Sequence, residues 1–264
     1  MRLNNENKTG FILHYLRLSL SLYPIKRRGM KIFAVGMNYV EHNKELGNTL
    51  LITEKDLRKT EEPVIFTKPD SALLKDGKPF FIPDFMGRID YETEVVVRIC
   101  RLGKGIPQQF AHRYYDAVTL GIDFTAREVQ KKAKDLGRPW TIAKGFDGSA
   151  VIGAWVKPTP APHPEQSSPP RCLPQREGSL KDVQIPIQDL HFRLDINGET
   201  RQVGYTGDML YKVDELISYI SKYFTLKTGD LLFTGTPVGV GPVHIDDHLE
   251  GWLEDRKVLE FNCK

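Results

Sequence analysis

What the chain lacks narrows its class before any motif is read. The apolar run from Phe11 to Tyr23 is short and interrupted by His14 and Arg17, whereas a bilayer-spanning helix needs about 20 consecutive apolar residues. Basic residues flank that run on both sides, which does not suit a secretory leader. Only three cysteines occur, Cys100, Cys172 and Cys263. Their wide spacing and odd number argue against a disulfide framework or a thiolate zinc site and fit a reducing, cytoplasmic setting. No charge predominates, since 37 basic residues stand against 34 acidic ones for a net +3. No basic stripe interleaves with aromatics, so neither nucleic acid nor a membrane surface is expected as a partner.

What is present is enough for a real core, with 40% of 264 residues hydrophobic. Residues 1–29 read as an N-terminal extension, partly disordered or helical. Met30 directly precedes the first core strand, Lys31 to Val35, and a domain over residues 30–264 follows. Asn38 and Glu41 have the spacing of a helix cap and its reciprocal partner, predicting a short helix to Leu46 that Gly47 ends. Residues 48–62 read as loop or a second short helix, and Pro63 to Thr67 as strand. The run Asp90 to Cys100 is the clearest strand, rich in β-branched residues. Phe110 to Val118 reads as helix, and Thr125 with Glu128 as a capping box opening a helix through Leu136. Prolines crowd residues 158–186, an insertion with little to bury. Asn197-Gly198 signals a hairpin, Asp214 caps a helix, and Leu231 to Thr234 is a short strand before a glycine-rich loop. Leu249 to Leu253 and Lys257 to Phe261 close the fold. Many short strands and about three helices predict a mixed α/β fold, predominantly β.

Three stretches hold the residues of chemical interest. Alternation along an extended strand sends Glu92 and Glu94 to one side, roughly 6 to 7 Å apart. Two carboxylates so placed repel unless a cation or a proton lies between them. A solvated strand face is the plain alternative, as helix entry is for Asp123. Together the three acids are oxygen donors for Mg²⁺, alternatively Mn²⁺ or Ca²⁺, and no histidine is spaced among them for zinc. His42 and Glu45, three apart on the short helix, are either a surface pair or a general base and its orienting carboxylate. Lys144 lies among apolar neighbours, either solvent-exposed or placed to bind a substrate oxygen. Thr234 and Thr236 flank a glycine at a strand end, where their hydroxyls and nearby amides would hold an anionic ligand.

Five ordered blocks carry a resemblance to the fumarylacetoacetate hydrolase family over Lys31 to Phe261, the proline-rich segment excepted. They are Val35 to Glu45, Asp90 to Val95, Asp123 to Gln130, Trp140 to Phe146 and Leu231 to Gly241. The resemblance implies a β-roll of the family's C-terminal domain type, usually dimeric, acting on small 2-oxo or dioic acids. It implies metal ligation by the matches to Glu92, Glu94 and Asp123. His42 and Glu45 match a water-activating pair on a helix that closes over substrate, and Lys144 matches a contact to substrate oxygens. The chain departs from the family in its long proline-rich segment and at Tyr205, which lies where many members carry a polar substrate-side segment. With both members of the water-activating pair present, hydrolysis of a C–C bond in an acylpyruvate such as fumarylpyruvate is the favoured reaction. The alternatives are isomerisation of a 2-hydroxyhepta-2,4-diene-1,7-dioate-like substrate in aromatic catabolism, oxaloacetate decarboxylation, or a scaffold that keeps the fold without the chemistry.

Overall fold

The computed structural model of the chain describes residues 29–45, 62–159 and 182–264. In chain order the elements are β1 (Ile32–Gly36), α1 (Val40–Glu45), β2 (Val64–Lys68), β3 (Leu73–Leu74), β4 (Ile89–Tyr91), β5 (Thr93–Ile99), β6 (Tyr115–Asp123) and β7 (Thr125–Ala126). There follow α2 (Arg127–Asp135), α3 (Thr141–Lys144), β8 (Ala150–Ile152), β9 (Lys157–Thr159), β10 (Asp182–Pro186), β11 (His191–Ile196), β12 (Glu199–Tyr205), α4 (Val213–Tyr223), β13 (Leu231–Phe233), β14 (Gly241–Pro242), β15 (His248–Leu253) and β16 (Arg256–Asn262). A seven-stranded mixed sheet runs β2-β1-β13-β5-β6-β8-β3, a four-stranded sheet β12-β11-β15-β16, and a three-stranded one β14-β4-β7. The expected mixed, predominantly β roll is what forms. No helix among the described residues is long and apolar enough to cross a membrane.

The central strand β5 is buried on both faces, which is why it reads as a near-continuous apolar run. Val95, Val97 and Ile99 pack with Phe33, Leu120, Phe192 and the helical Leu216, Ile217 and Ile220. Val96, on the other face, packs with Ile32, Ala34, Leu231 and Phe233. A third cluster joins Phe80 and Phe124, stacked at 3.9 Å between ring centroids, to Leu194, Leu249, Leu259 and Phe261. The Asn197-Gly198 hairpin forms as expected, with φ of 54° and 81° at the two turn residues, the left-handed pair that suits the twist of the flanking strands.

Several local expectations change under tertiary packing. The run Asp90 to Cys100 is two strands in different sheets, β4 and β5, parted at Glu92. Residues 110–118 are not helical throughout: a 3₁₀ turn, Gln108–Arg113, gives way to β6 at Tyr115, because pairing with β5 aligns Val97 with Val118 and Val95 with Leu120. Asn38 does not cap α1. Its amide donates to the carbonyls of Thr234 and Tyr211 and its oxygen accepts from the Tyr211 N–H, stitching two loops together. Thr125 pairs in a strand and its hydroxyl donates to the Asp123 carbonyl, so α2 starts two residues later without a side-chain cap. Lys212, not Asp214, stands at the N-cap position of α4 without a side-chain cap, and Glu215 accepts from its backbone N–H.

The ends of the proline-rich stretch, β9 and β10, pair in parallel. Its middle, the N-terminal extension, Leu46 and the segment after it lie outside the described residues. Cys100 is buried at the end of β5 as expected, its Sγ 3.9 Å from the Arg113 carbonyl, and Cys263 is buried and free.

Gly121 sits opposite Glu94 in the β5–β6 pair, and a Cβ there would lie 2.7 Å from the Val151 carbonyl oxygen and 2.6 Å from Val96. Backbone oxygen cannot yield as a side chain can. Gly121→Ala is expected to lower unfolding free energy by about 1–3 kcal/mol, read from urea denaturation midpoints at unchanged slope; a change within error would mean that β6 shifts freely.

Candidate metal centre

Three carboxylates meet where β4 gives way to β5 and β6 ends. Register does the placing: Ile122 lies opposite Thr93, and the Asp123 N–H donates to the Glu92 carbonyl at 2.8 Å. Glu92, Glu94 and Asp123 are all buried, each offering an oxygen within 4.8 Å of the others. Alternation along one strand is thus not what gathers them: Glu92 lies in the break between β4 and β5, Glu94 on β5 and Asp123 at the end of β6.

Basic groups surround the trio unevenly. Lys144, at the end of α3, donates to Glu92 Oε2 at 2.6 Å and to Asp123 Oδ2 at 2.9 Å. Arg127, the first residue of α2, donates to Glu92 Oε1 at 2.9 Å, to Asp90 at 2.8 Å and to Gln130 at 3.0 Å. Lys68, fully buried at the end of β2, has Nζ 2.6 Å from Asp123 Oδ1. That is an ion pair by distance without the alignment of a hydrogen bond; its protons go instead to the carbonyls of Lys144 and Ser149 and to Ser149 Oγ. Burial opposes ionisation of Glu92, but Lys144, Arg127 and His42 outweigh it and bring its pKa down to about 2. Glu94 has weaker support, from Lys144 at a distance and from a backbone amide. It accepts the Gly235 N–H at 2.7 Å and has no ion pair among the described residues. Burial, then the Asp123 and Glu92 carboxylates, hold its pKa well above the ordinary carboxylate range.

That asymmetry fits a cation site. A hard divalent ion between the three acids would relieve the strain on Glu94, and an all-carboxylate donor set suits Mg²⁺, Mn²⁺ or Ca²⁺ better than zinc. A second trio, His248, Glu250 and Glu260, also brings ligand atoms within 4.8 Å. Lys257 already bridges its two acids at 2.9 and 2.8 Å, so it has no comparable charge to neutralise.

The carboxylates line a cleft with Gly36, His42, Phe66, Gln130, Lys134, Trp140 and Thr236, and the space left is about 30 Å³, room for an ion or a water. His42 Nδ1 lies 3.1 Å from Glu45 Oε2, and Glu45 in turn accepts the Gly239 N–H at 3.2 Å. Burial lowers the His42 pKa, more than Glu92 and Glu45 raise it. The imidazole is therefore neutral near pH 7, and in the tautomer whose Nδ1–H donates to the Glu45 carboxylate the Nε2 lone pair is free to act as a base.

Of the other residues singled out in the sequence, Thr236 lines the cleft, while the buried Thr234 hydroxyl donates to the Val95 carbonyl at 2.8 Å. Tyr205 is not brought to the carboxylates. It donates to Asp189 at 2.5 Å, stacks on His191 and borders a separate groove with Tyr39, Glu41 and Val238. Sequence reading gave no role to Lys68, Arg127, Gln130, Lys134 or Trp140. Lys68 carried the one usable signal, a lysine closing an apolar strand just before Pro69, where no solvent-facing alternation precedes it.

Residues 31–264 match the family model described as Fumarylacetoacetate (FAA) hydrolase C-terminal. The chain is 34% identical to "Oxaloacetate tautomerase FAHD1, mitochondrial" of Mus musculus over 89% of this chain and 92% of that one. It is 36% identical to the Arabidopsis thaliana protein of the same name, over 90% and 92%. Among solved structures it resembles a putative fumarylacetoacetate hydrolase family protein from Yersinia pestis CO92, at 35% identity, TM-score 0.71 and coverage of 89% and 93%. It also resembles fumarylpyruvate hydrolase from Pseudomonas aeruginosa in complex with Mn²⁺ and pyruvate, at 29% identity, TM-score 0.70 and coverage of 88% of each chain.

With a pKa raised in the folded state, Glu94 binds a proton there that the unfolded chain has released, so metal-free stability falls as pH rises above the ordinary carboxylate range. A bound ion takes that proton's place. Mn²⁺ is expected to raise the melting temperature more at about pH 8 than at about pH 5.5, and Glu94→Gln to lose most of the rise. Equal shifts at both pH values, unchanged in Glu94→Gln, would remove Glu94 from the ligand set.

Proposed function

Because the chain belongs to the fumarylacetoacetate hydrolase family, we propose that it is a divalent-metal-dependent enzyme of small 2-oxo dicarboxylic acids that interconverts their keto and enol forms, as in oxaloacetate. The observation that carries this reading is one neutral base, His42, and one fixed ammonium, Lys144, lining the same small cleft as the three carboxylates. Charge supports the substrate class. Three acids, Glu92, Glu94 and Asp123, stand against three basic groups, Arg127, Lys134 and Lys144, so a 2+ ion makes the lining net positive and favours a dianion.

When bound in the carboxylate trio, the divalent ion supplies Lewis acidity toward the keto oxygen and its neighbouring carboxylate. The chain's own groups do the rest. His42 takes a proton from C3; the C–H electron pair becomes the C2=C3 bond and the carbonyl π pair moves to oxygen. Burial works against the Lys144 ammonium, but Asp123 and Glu92 more than offset it and raise its pKa, so it stays charged beside the developing negative oxygen. His42 then delivers the proton to that oxygen and is neutral again. Glu45 fixes the ring and stabilises the imidazolium between the two transfers.

Hydrolysis of an acylpyruvate, the reaction favoured from the sequence, becomes the second reading. It is supported by the same His42–Glu45 pair acting on water and by the likeness to the Pseudomonas aeruginosa hydrolase. The relatives named as oxaloacetate tautomerases match over nine-tenths of their length and support the enolising reaction instead.

Purified protein with Mn²⁺ or Mg²⁺ is expected to accelerate decay of the enol absorbance of oxaloacetate. His42→Ala should reduce the rate by about 10²-fold or more while leaving Mn²⁺ affinity close to wild type. Absence of enol turnover together with pyruvate release from fumarylpyruvate would transfer the assignment to hydrolysis.

A further inference from the structure

Strand β12 buries a polar side chain and exposes an apolar one: Gln202 is 2% exposed and its neighbour Val203 61%. Hydrophobicity alone does not choose that face, so the contacts made by Gln202 must. Its Oε1 accepts the Thr93 N–H at 3.0 Å, and its Nε2 donates to Thr236 Oγ1 at 2.8 Å and to the Pro237 carbonyl at 2.9 Å. Thr236 Oγ1 in turn donates to the Thr93 carbonyl at 2.9 Å. The side chain therefore reaches from the four-stranded sheet into the seven-stranded one, and grips the residue between Glu92 and Glu94 together with the loop over residues 235–239.

That loop has a functional carboxylate at each end. Gly235 N–H donates to Glu94 at 2.7 Å and Gly239 N–H to Glu45 at 3.2 Å. Both glycines have positive φ, 96° and 101°, and both are tightly surrounded. A Cβ on Gly235 would lie 2.8 Å from Asn38, and one on Gly239 3.2 Å from the Arg201 carbonyl. The Gly239 end thus packs on the strand that carries Gln202.

We propose that Gln202 is a positioning residue whose three hydrogen bonds fix the 235–239 loop, so that one side chain sets both the Glu94 carboxylate of the metal cradle and the Glu45 carboxylate that orients His42. The functional side of this proposal rests on the reading above, while the geometry does not. Loss of Gln202 leaves the ligands and the base in the chain but frees their common brace, so metal affinity and the proton-transfer step fall together.

The test uses full-length protein and two variants. Gln202→Met keeps the length of the side chain and removes all three bonds; Gln202→Glu keeps the acceptor for Thr93 and loses the amide donor. Expected are a Mn²⁺ dissociation constant raised several-fold by titration calorimetry, faster hydrogen exchange at the Gly235 and Gly239 amides than at amides of α4, and kcat lowered at least tenfold with KM changed less. The amide and Mn²⁺ readouts need no turnover, so inactivity of the wild type toward oxaloacetate would count against the proposed reaction and not against the brace. Should Gln202→Met fail to fold, Gln202→Glu carries the same three measurements. Wild-type Mn²⁺ affinity, amide exchange and kcat per folded molecule in the folded variants would overturn the proposal and leave Gln202 a packing residue.

Discussion

Three buried carboxylates held within 4.8 Å of one another are the constraint around which the remainder of the structure is arranged. Like charges at that distance, removed from water, cannot all ionise unaided. Two of them are answered by Lys144, Arg127 and Lys68, and the third is left facing the other two. Two strand breaks and a loop amide converge to keep the trio together: β4 passes to β5 at Glu92, β6 stops at Asp123, and Gly235 donates to Glu94.

Packing supplies the rigidity this requires. Strand β5 is apolar on both faces and paired on both edges, to β13 and β6, so Thr93 and Glu94 start from a backbone with little freedom. Lys68 and Ser149 tie β2 to the turn after α3 and thereby fix the backbone of Lys144. Asp90 plays a parallel part on the other side, accepting from both Arg88 and Arg127 and aiming the latter at Glu92. The His42–Glu45 pair is placed differently. His42 is on a helix of six residues, too short to be stable by itself, which is held at its start by the bonds of Asn38 to Thr234 and Tyr211 and at its end by the Gly239 N–H donating to Glu45.

Local patterns carried much of this architecture. The β-branched run of β5, the Asn197-Gly198 turn and the spacing of Leu216, Ile217 and Ile220 on α4 identified elements that formed, because each depends on residues close in sequence. The capping boxes at Asn38 and Thr125 did not form. In both, a side chain able to satisfy a helix terminus found a partner elsewhere, and a local rule cannot see that competition. The helix expected across residues 110–118 yielded to strand for the same kind of reason, since the register with β5 rewards Val118 and Leu120 only after two distant segments have met.

The sequence by itself determined the acidic trio, the His42–Glu45 spacing and Lys144, since side-chain chemistry and short-range periodicity are properties of the chain. Only the tertiary structure decided that Lys68 and Arg127 answer two of the acids and not the third, that Gln202 reaches from one sheet into another, and that Tyr205 stands apart. Those outcomes depend on burial and on pairing between segments tens to more than a hundred residues apart. Electrostatic cost is set by how much water is excluded around a charge, and no stretch of sequence contains that quantity until the fold closes over it.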